Sequence, residues 1–255
     1  MNIDRFIDVD FRVDPAYVFG DLGMPCFADM GPSYEELFGT MSDAEINDAI
    51  KAQDAAGGGL DLMVTRIFDQ GREGSCVANA YAQANQIVQA KQFGKDKVVQ
   101  LSAISLYKRI GSSPSSGAMV SDGVEEMNGR GILPLDTPEN RERFDHVMPA
   151  TGFYEKFPRG WEETGKKFAG LEHHVVKTVP GLLSALCQGH PVVVGRQGHS
   201  ICYCRVMMKD GRRVVKYANS WKPSWGDQGF GYDSESQIRQ SASWAAVVRS
   251  VVVPS

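Results

Sequence analysis

Little in this chain marks it for export, for a membrane or for nucleic acid. The N-terminus, MNIDRFIDVDFRVD, alternates charged and apolar residues and lacks the apolar core of a signal peptide. No apolar run approaches the ~18 residues of a membrane helix. There is no run of like charge and no basic stripe interleaved with aromatics, and the net charge is -4. Neither nucleic acid nor membrane is therefore expected as a partner, and the chain is expected in the cytoplasm or inside a particle or assembly. Cysteine is sparse and odd in number: Cys26, Cys76, Cys187, Cys202 and Cys204. That argues against a disulfide framework. No CxxC pair occurs, and Cys202-x-Cys204 is not a usual metal spacing. On a strand these two thiols face one side and read as buried structural residues. No internal repeat is present.

What remains is a chain of 255 residues, 42% of them hydrophobic. That suffices for one large domain or for two lobes around a cleft. Residues 1–59 read as a leader with few clear elements. Within it Ser42-Asp43-Ala44-Glu45 has the spacing of a capping box, and Ile46, Ala49 and Ile50 then share one helical face. Gly57-Gly58-Gly59 ends that helix. Leu60 to Ile67 reads as a short extended segment, broken by Gly71 to Gly74. From Cys76 the residues Val77, Ala80, Tyr81, Ala84, Ile87 and Val88 recur at helical spacing, up to Phe93-Gly94. Ser102 to Ile110 and Asp122 to Asn128 read as further helices. Pro134 to Gly170 gives no clear element. After a short helix at Leu182 to Cys187, strand signals dominate: Pro191 to Val194, His199 to Met207, Val214 to Ala218 and Val247 to Val253. Helices first and an antiparallel sheet afterwards indicate an α+β fold with two lobes.

The stretch DQGREGSCVANA, Asp69 to Ala80, places a thiol where a helix begins behind a glycine-rich turn. The helix dipole and the unpaired N–H groups of a first turn both stabilise a thiolate there. The same N–H groups can face a developing oxyanion. Gln70 lies in that turn, and its amide can donate to the same oxyanion. The glycines of the turn, Gly71 and Gly74, let the backbone approach a substrate carbonyl. A lone cysteine at a helix start is also simply a small buried residue, so the partners decide.

A nucleophilic thiol needs a base and a group to orient it. Of the five histidines, His146 lies in a polar loop and His173-His174 point to opposite faces of a strand. His190 sits in a turn. His199 opens the strand Ser200-Ile201-Cys202-Tyr203, where it is rigid and can reach a cleft. In KYANSWKPSWGDQGFGY, Asn219 ends a strand and can accept from an imidazole N–H. Trp221 can cover that bond from water.

Taken together, Asp69–Cys76, His199, and Asn219-Ser220-Trp221 with Trp225–Phe230 resemble the papain family of cysteine peptidases, in the form of its bacterial xylellain type. The stretch from Ser121-Asp122-Gly123-Val124 to Gly131-Ile132-Leu133-Pro134 resembles that type too. The resemblance covers roughly residues 60–240. It implies a papain-like fold: a helical left lobe, a right lobe built on an antiparallel sheet or barrel, and a cleft between them. Cys76 would be the nucleophile, His199 its proton partner and Asn219 the group that orients the imidazole. Gln70 and the Cys76 N–H would form the oxyanion hole, with Trp221, Gly74 and Ser75 supporting.

Three positions depart from the family. Val77 stands where papain has tryptophan, and Glu73 replaces a disulfide-bonded cysteine. Lys222-Pro223 stands where a glycine usually follows Asn-Ser-Trp, which would stiffen the loop.

The implied activity is peptide-bond hydrolysis through a thioester, on a peptide or protein substrate, by a domain of residues 60–255, with no metal and no cofactor needed. Related amide or isopeptide bonds suit the same triad. The alternative is a papain-fold subunit of a larger assembly such as a virus particle, its cleft idle or filled by the leader. Residues 1–59 would then serve as a docking arm, whereas in a peptidase they would be a short prosegment.

Overall fold

The computed structural model describes residues 3–11, 31–145 and 152–252; Cys26 and His146 lie outside them. The helices are α1 (Tyr34–Phe38), α2 (Asp43–Ala55), α3 (Cys76–Phe93), α4 (Ala103–Ile110), α5 (Val120–Gly129), α6 (Pro138–Phe144) and α7 (Trp161–Lys166). Strand β1 (Gly170–Val175) follows, then α8 (Val179–Cys187), β2 (Val192–Arg196), β3 (His199–Lys209), β4 (Arg212–Ala218), β5 (Phe230–Ser234), α9 (Glu235–Ser241) and β6 (Ala242–Val251). The strands form one antiparallel sheet in the order β1-β6-β2-β3-β4-β5. The α+β class is as expected.

The sheet separates two cores, because successive strand residues face opposite sides. Cys202 and Cys204 of β3 face the core that holds α3, α4 and α5. Ile201 and Tyr203 face the other, with α2, α8 and the N-terminal residue Phe11. Among the described residues four cysteines are unbridged. Burial pushes the Cys187 thiol up to about 11, and raises those of Cys202 and Cys204 too. These three are held protonated and inert.

Helix α2 has the expected capping box: Glu45 N–H donates to Ser42 Oγ, and Ser42 N–H donates to Glu45 Oε2 at 2.7 Å. Helix α3 departs from a simple amphipathic reading, since it is buried on nearly every side from Cys76 to Ala90. Its amides serve the loops around it. Gln86 Oε1 accepts from Leu101 N–H at 2.8 Å, and Gln89 Oε1 from Val99 N–H at 3.0 Å. Asn85 Nδ2 donates to Phe168 O at 3.0 Å. Buried amides are stable only when paired in this way.

Leu60–Met63 is a 3-10 helix, not extended chain. Its N–H groups bond back locally, and Asp61 Oδ1 accepts from Gly59 N–H at 2.8 Å. The polar stretch after Pro134 contains α6 and α7. Helix α6 is capped by Thr137 and has Pro138 in its first turn. Strands β1 and β5 carry too few apolar residues in sequence to stand out, and β6 begins well before Val247.

Candidate active site

The two sequence blocks meet through their backbones. Asp69 and Trp221 form an antiparallel bridge: Gln70 N–H donates to Ser220 O at 2.8 Å, and Lys222 N–H to Phe68 O at 3.0 Å. Ser220 Oγ also donates to Gln70 Oε1 at 2.6 Å. The turn leading to Cys76 is thus pinned to the loop that follows Asn219.

Cys76 is the first residue of α3, as the spacing predicts, and is fully buried. Ser75 precedes the helix without capping it. It is engaged instead with Asn79, whose Nδ2 donates to Ser75 O at 2.9 Å and to Ser75 Oγ at 3.0 Å. Ser75 thus supplies no side-chain cap to the first turn of α3. Gly74 is required by close approach: a Cβ there would stand 2.6 Å from Gly117 N. Tyr107, on the same side, has its hydroxyl pKa raised by burial and, to a smaller degree, by Glu73 and Cys76 nearby. Gln70 Nε2 donates to Glu73 O at 2.8 Å.

His199 opens β3 directly after a two-residue turn, Gln197 (φ 54°) and Gly198 (φ 78°), and pairs with Arg196 across the hairpin. Its Nε2 bonds Asn219 Oδ1 at 2.7 Å. Asn219 Oδ1 also accepts from Ser220 N–H at 2.8 Å. His199 Nδ1 has no hydrogen-bond partner among the described residues. Trp221 lies 4.7 Å from the imidazole, centroid to centroid, and is itself fully buried.

A second ring against the imidazole was not expected. Phe11, fully buried, meets the imidazole edge-on at 4.8 Å and Trp221 at 5.2 Å. The N-terminal segment is held there by a buried ion pair. Arg196 lies 3.3 Å from Asp233, both fully buried. The Arg196 guanidinium donates to Val9 O at 2.7 Å and sits 4.3 Å over the Phe11 ring. Asp233 accepts from Tyr203 Oη at 2.6 Å. Asp8 N–H donates to Tyr232 O at 2.8 Å, and Asp8 Oδ1 accepts from Ser234 N–H at 2.7 Å. An arginine ending the apolar run of β2 was the one available signal.

Burial drops the His199 pKa to about 4; the Asn219 acceptor opposes this and the Arg196 charge adds to it. Under Phe11 the imidazole is thus neutral at neutral pH. Among the described residues no group of three or more His, Cys, Asp or Glu is placed to hold a metal ion, and no helix is long and apolar enough to cross a membrane.

No protein-family model matches the chain, and no curated protein matches it in sequence. Solved structures do match its fold. Xylellain, a cysteine protease from Xylella fastidiosa, is 19% identical with a TM-score of 0.65, over 94% of this chain and 99% of that one. Digestive procathepsin L 3 from the larval midgut of Tenebrio molitor is 14% identical with a TM-score of 0.59, over 75% and 67%. The ragweed pollen cysteine protease Amb a 11, in its proform, is 16% identical with a TM-score of 0.55, over 76% and 63%. The chain has the papain-like fold that these structures share.

Proposed function

We propose that the protein is a cysteine peptidase whose triad is Cys76, His199 and Asn219. The observation that carries this is the buried 2.7 Å bond from His199 Nε2 to Asn219 Oδ1, on a loop bridged to the turn before Cys76. Nε2 is committed to Asn219, so Nδ1 is the nitrogen that exchanges a proton with sulfur. The thiolate attacks a peptide carbonyl, and the Cys76 N–H and Gln70 Nε2 stabilise the oxyanion. The C–N bond breaks as His199 donates its proton to the leaving amine. A water molecule then attacks the thioester, His199 takes its proton, and the acid leaves as Cys76 regains its thiol. The substrate class is peptide or protein amides.

A second observation favours reading the described state as a blocked form of this site. Cys76 and His199 are both fully buried, and the N-terminal segment seats Phe11 on the imidazole. A neutral, buried imidazole does not support a thiolate–imidazolium pair. On this reading residues 3–11 cover the imidazole side of the site, and activity requires their displacement.

The test is alkylation by an iodoacetamide probe at neutral pH, read by mass spectrometry, with peptide hydrolysis in parallel. Once the N-terminal segment is removed, Cys76 is expected to react well ahead of Cys187, Cys202 and Cys204. Cys76→Ala and His199→Ala are each expected to lose hydrolysis by at least ~10²-fold. Equal, slow labelling of all the thiols would refute the assignment.

A further inference from the structure

Beside Asn219 lies a small cavity of about 10 Å³, lined by Phe68, Asn79, Gln83, Ser200, Asn219 and Ser220 among others. Three of these side chains bring a polar atom with no hydrogen-bond partner among the described residues: Gln83 Nε2, Ser200 Oγ and Asn219 Nδ2. All three residues are at least nine-tenths buried, at 3%, 1% and 2% exposure. A buried polar group left unpaired is costly, so three around one void call for a common partner. The volume is close to the ~10–15 Å³ that one water molecule needs.

The donors and acceptors balance for a single water. Two amide N–H groups, from Gln83 and Asn219, donate to its two lone pairs. One of its hydrogens goes to Ser200 Oγ. We propose that this cavity is a structural water site, and that Gln83 of α3 and Ser200 of β3 act through the water as positioning residues for Asn219.

The two ends of a side-chain amide are nearly the same size, and only hydrogen bonding decides which end faces a neighbour. Asn219 Oδ1 must face His199 to accept from the imidazole N–H. Ser220 N–H holds the oxygen end on one side. The water holds the nitrogen end on the other, so that a flip would break bonds at both ends. It also ties the helix that carries the nucleophile to the strand and loop that carry His199 and Asn219. The water site stands on the geometry alone; its effect on catalysis rests on the peptidase reading above.

Two measurements test it. A high-resolution crystal structure of the whole chain is expected to show one ordered water within about 2.7–3.2 Å of all three atoms. A dry cavity, or Gln83 and Asn219 bonded elsewhere, would overturn the proposal. In kinetics on the activated enzyme, Gln83→Met and Ser200→Ala together remove the water's partners without touching the triad. The expected result is about a tenfold loss in kcat/KM, with the alkaline limb of the pH profile moved to lower pH, since Asn219 no longer supports the imidazolium. In an Asn219→Ala background the same pair of changes should have little further effect. An equal loss in both backgrounds, or an unmoved alkaline limb, would refute the positioning role. A chain that never hydrolyses amides would refute the peptidase reading, and the crystal structure would still decide the water.

Discussion

The surroundings of Cys76 and those of His199 are built in opposite ways. Around the thiol, one unbroken run from Asp69 to Cys76 supplies the turn, the glycines, the amide of Gln70 and the helix start. Around the imidazole, the walls come from β2, from the loop after β4 and from the N-terminal segment: Arg196, Asn219, Trp221 and Phe11. A local constellation is fixed by backbone geometry and is hard to undo without unfolding α3. A wall assembled from distant segments can lose one member and keep the rest. The Cys76 side is therefore the permanent part of the site, and the imidazole side is where its state can change.

Phe11 offers the largest expected break in that contrast. Phe11→Ala opens water to His199 and weakens the burial that holds its pKa near 4. Each unit by which that pKa rises is about a tenfold gain in the charged imidazole at neutral pH. Cys76 alkylation is expected to speed up by about tenfold or more, and the His199 ring resonances to titrate near the ordinary range in NMR. Loss of a buried phenylalanine costs about 3–5 kcal/mol, so Phe11→Leu serves as the milder variant, with a smaller shift in the same direction. Unchanged or slower alkylation in both would show that Phe11 is part of a working wall and not a block.

The ion pair beneath Phe11 gives the next effect, through pH. Burial raises the Asp233 pKa to about 6, with Arg196 and the Tyr203 hydroxyl opposing and Asp8 adding. A carboxyl whose folded pKa lies above its unfolded value contributes stability below about pH 4 and loses it as pH rises through about 6. His199 and His190, both lowered to about 4, act in the other direction: their contribution is present above about pH 6.5 and lost on acidification. The Asp233 effect must therefore be read by difference. Between pH 4 and pH 7, wild type is expected to lose stability relative to Asp233→Asn by on the order of a few kcal/mol, in denaturant titrations. A gap that does not change with pH would refute the assignment.

The same contrast decides what the sequence could reveal. The turn before Cys76 was readable because its residues are contiguous and each has a local reason: glycines for close approach, a helix start for the thiol. Asn219-Ser220-Trp221 was readable for the same reason, and the hairpin turn before His199 marked a rigid strand entry. Phe11 was not, since a phenylalanine in a charged leader gives no sign of a seat on a sheet so far along the chain. Gln83 was hidden as well. It sits inside α3, where side-chain amides normally face solvent, and only the packing of β3 shows that they are enclosed. The 3-10 turn at Leu60–Met63 was misread as extended because a short apolar run has no period to settle the choice.

Lys222 provides the smallest test and the most local one. The chain after Trp221 adopts φ 63° there, the left-handed region that favours glycine. Lysine holds that conformation because its N–H is committed to Phe68 O, in the bridge that joins the two halves of the site. The expected stiffness of the loop thus takes the form of local backbone strain, about 1 kcal/mol or somewhat more for an L-residue. Lys222→Gly relieves it but gives the unfolded chain more freedom, by roughly 0.4–1 kcal/mol. The net expectation is a gain in stability below about 1 kcal/mol, with Cys76 alkylation unchanged. A clear loss would mean that the lysine side chain itself supports the loop. A change in alkylation would mean that the bridge transmits strain to the nucleophile turn, and the local side of the site would then be less self-contained than its geometry suggests.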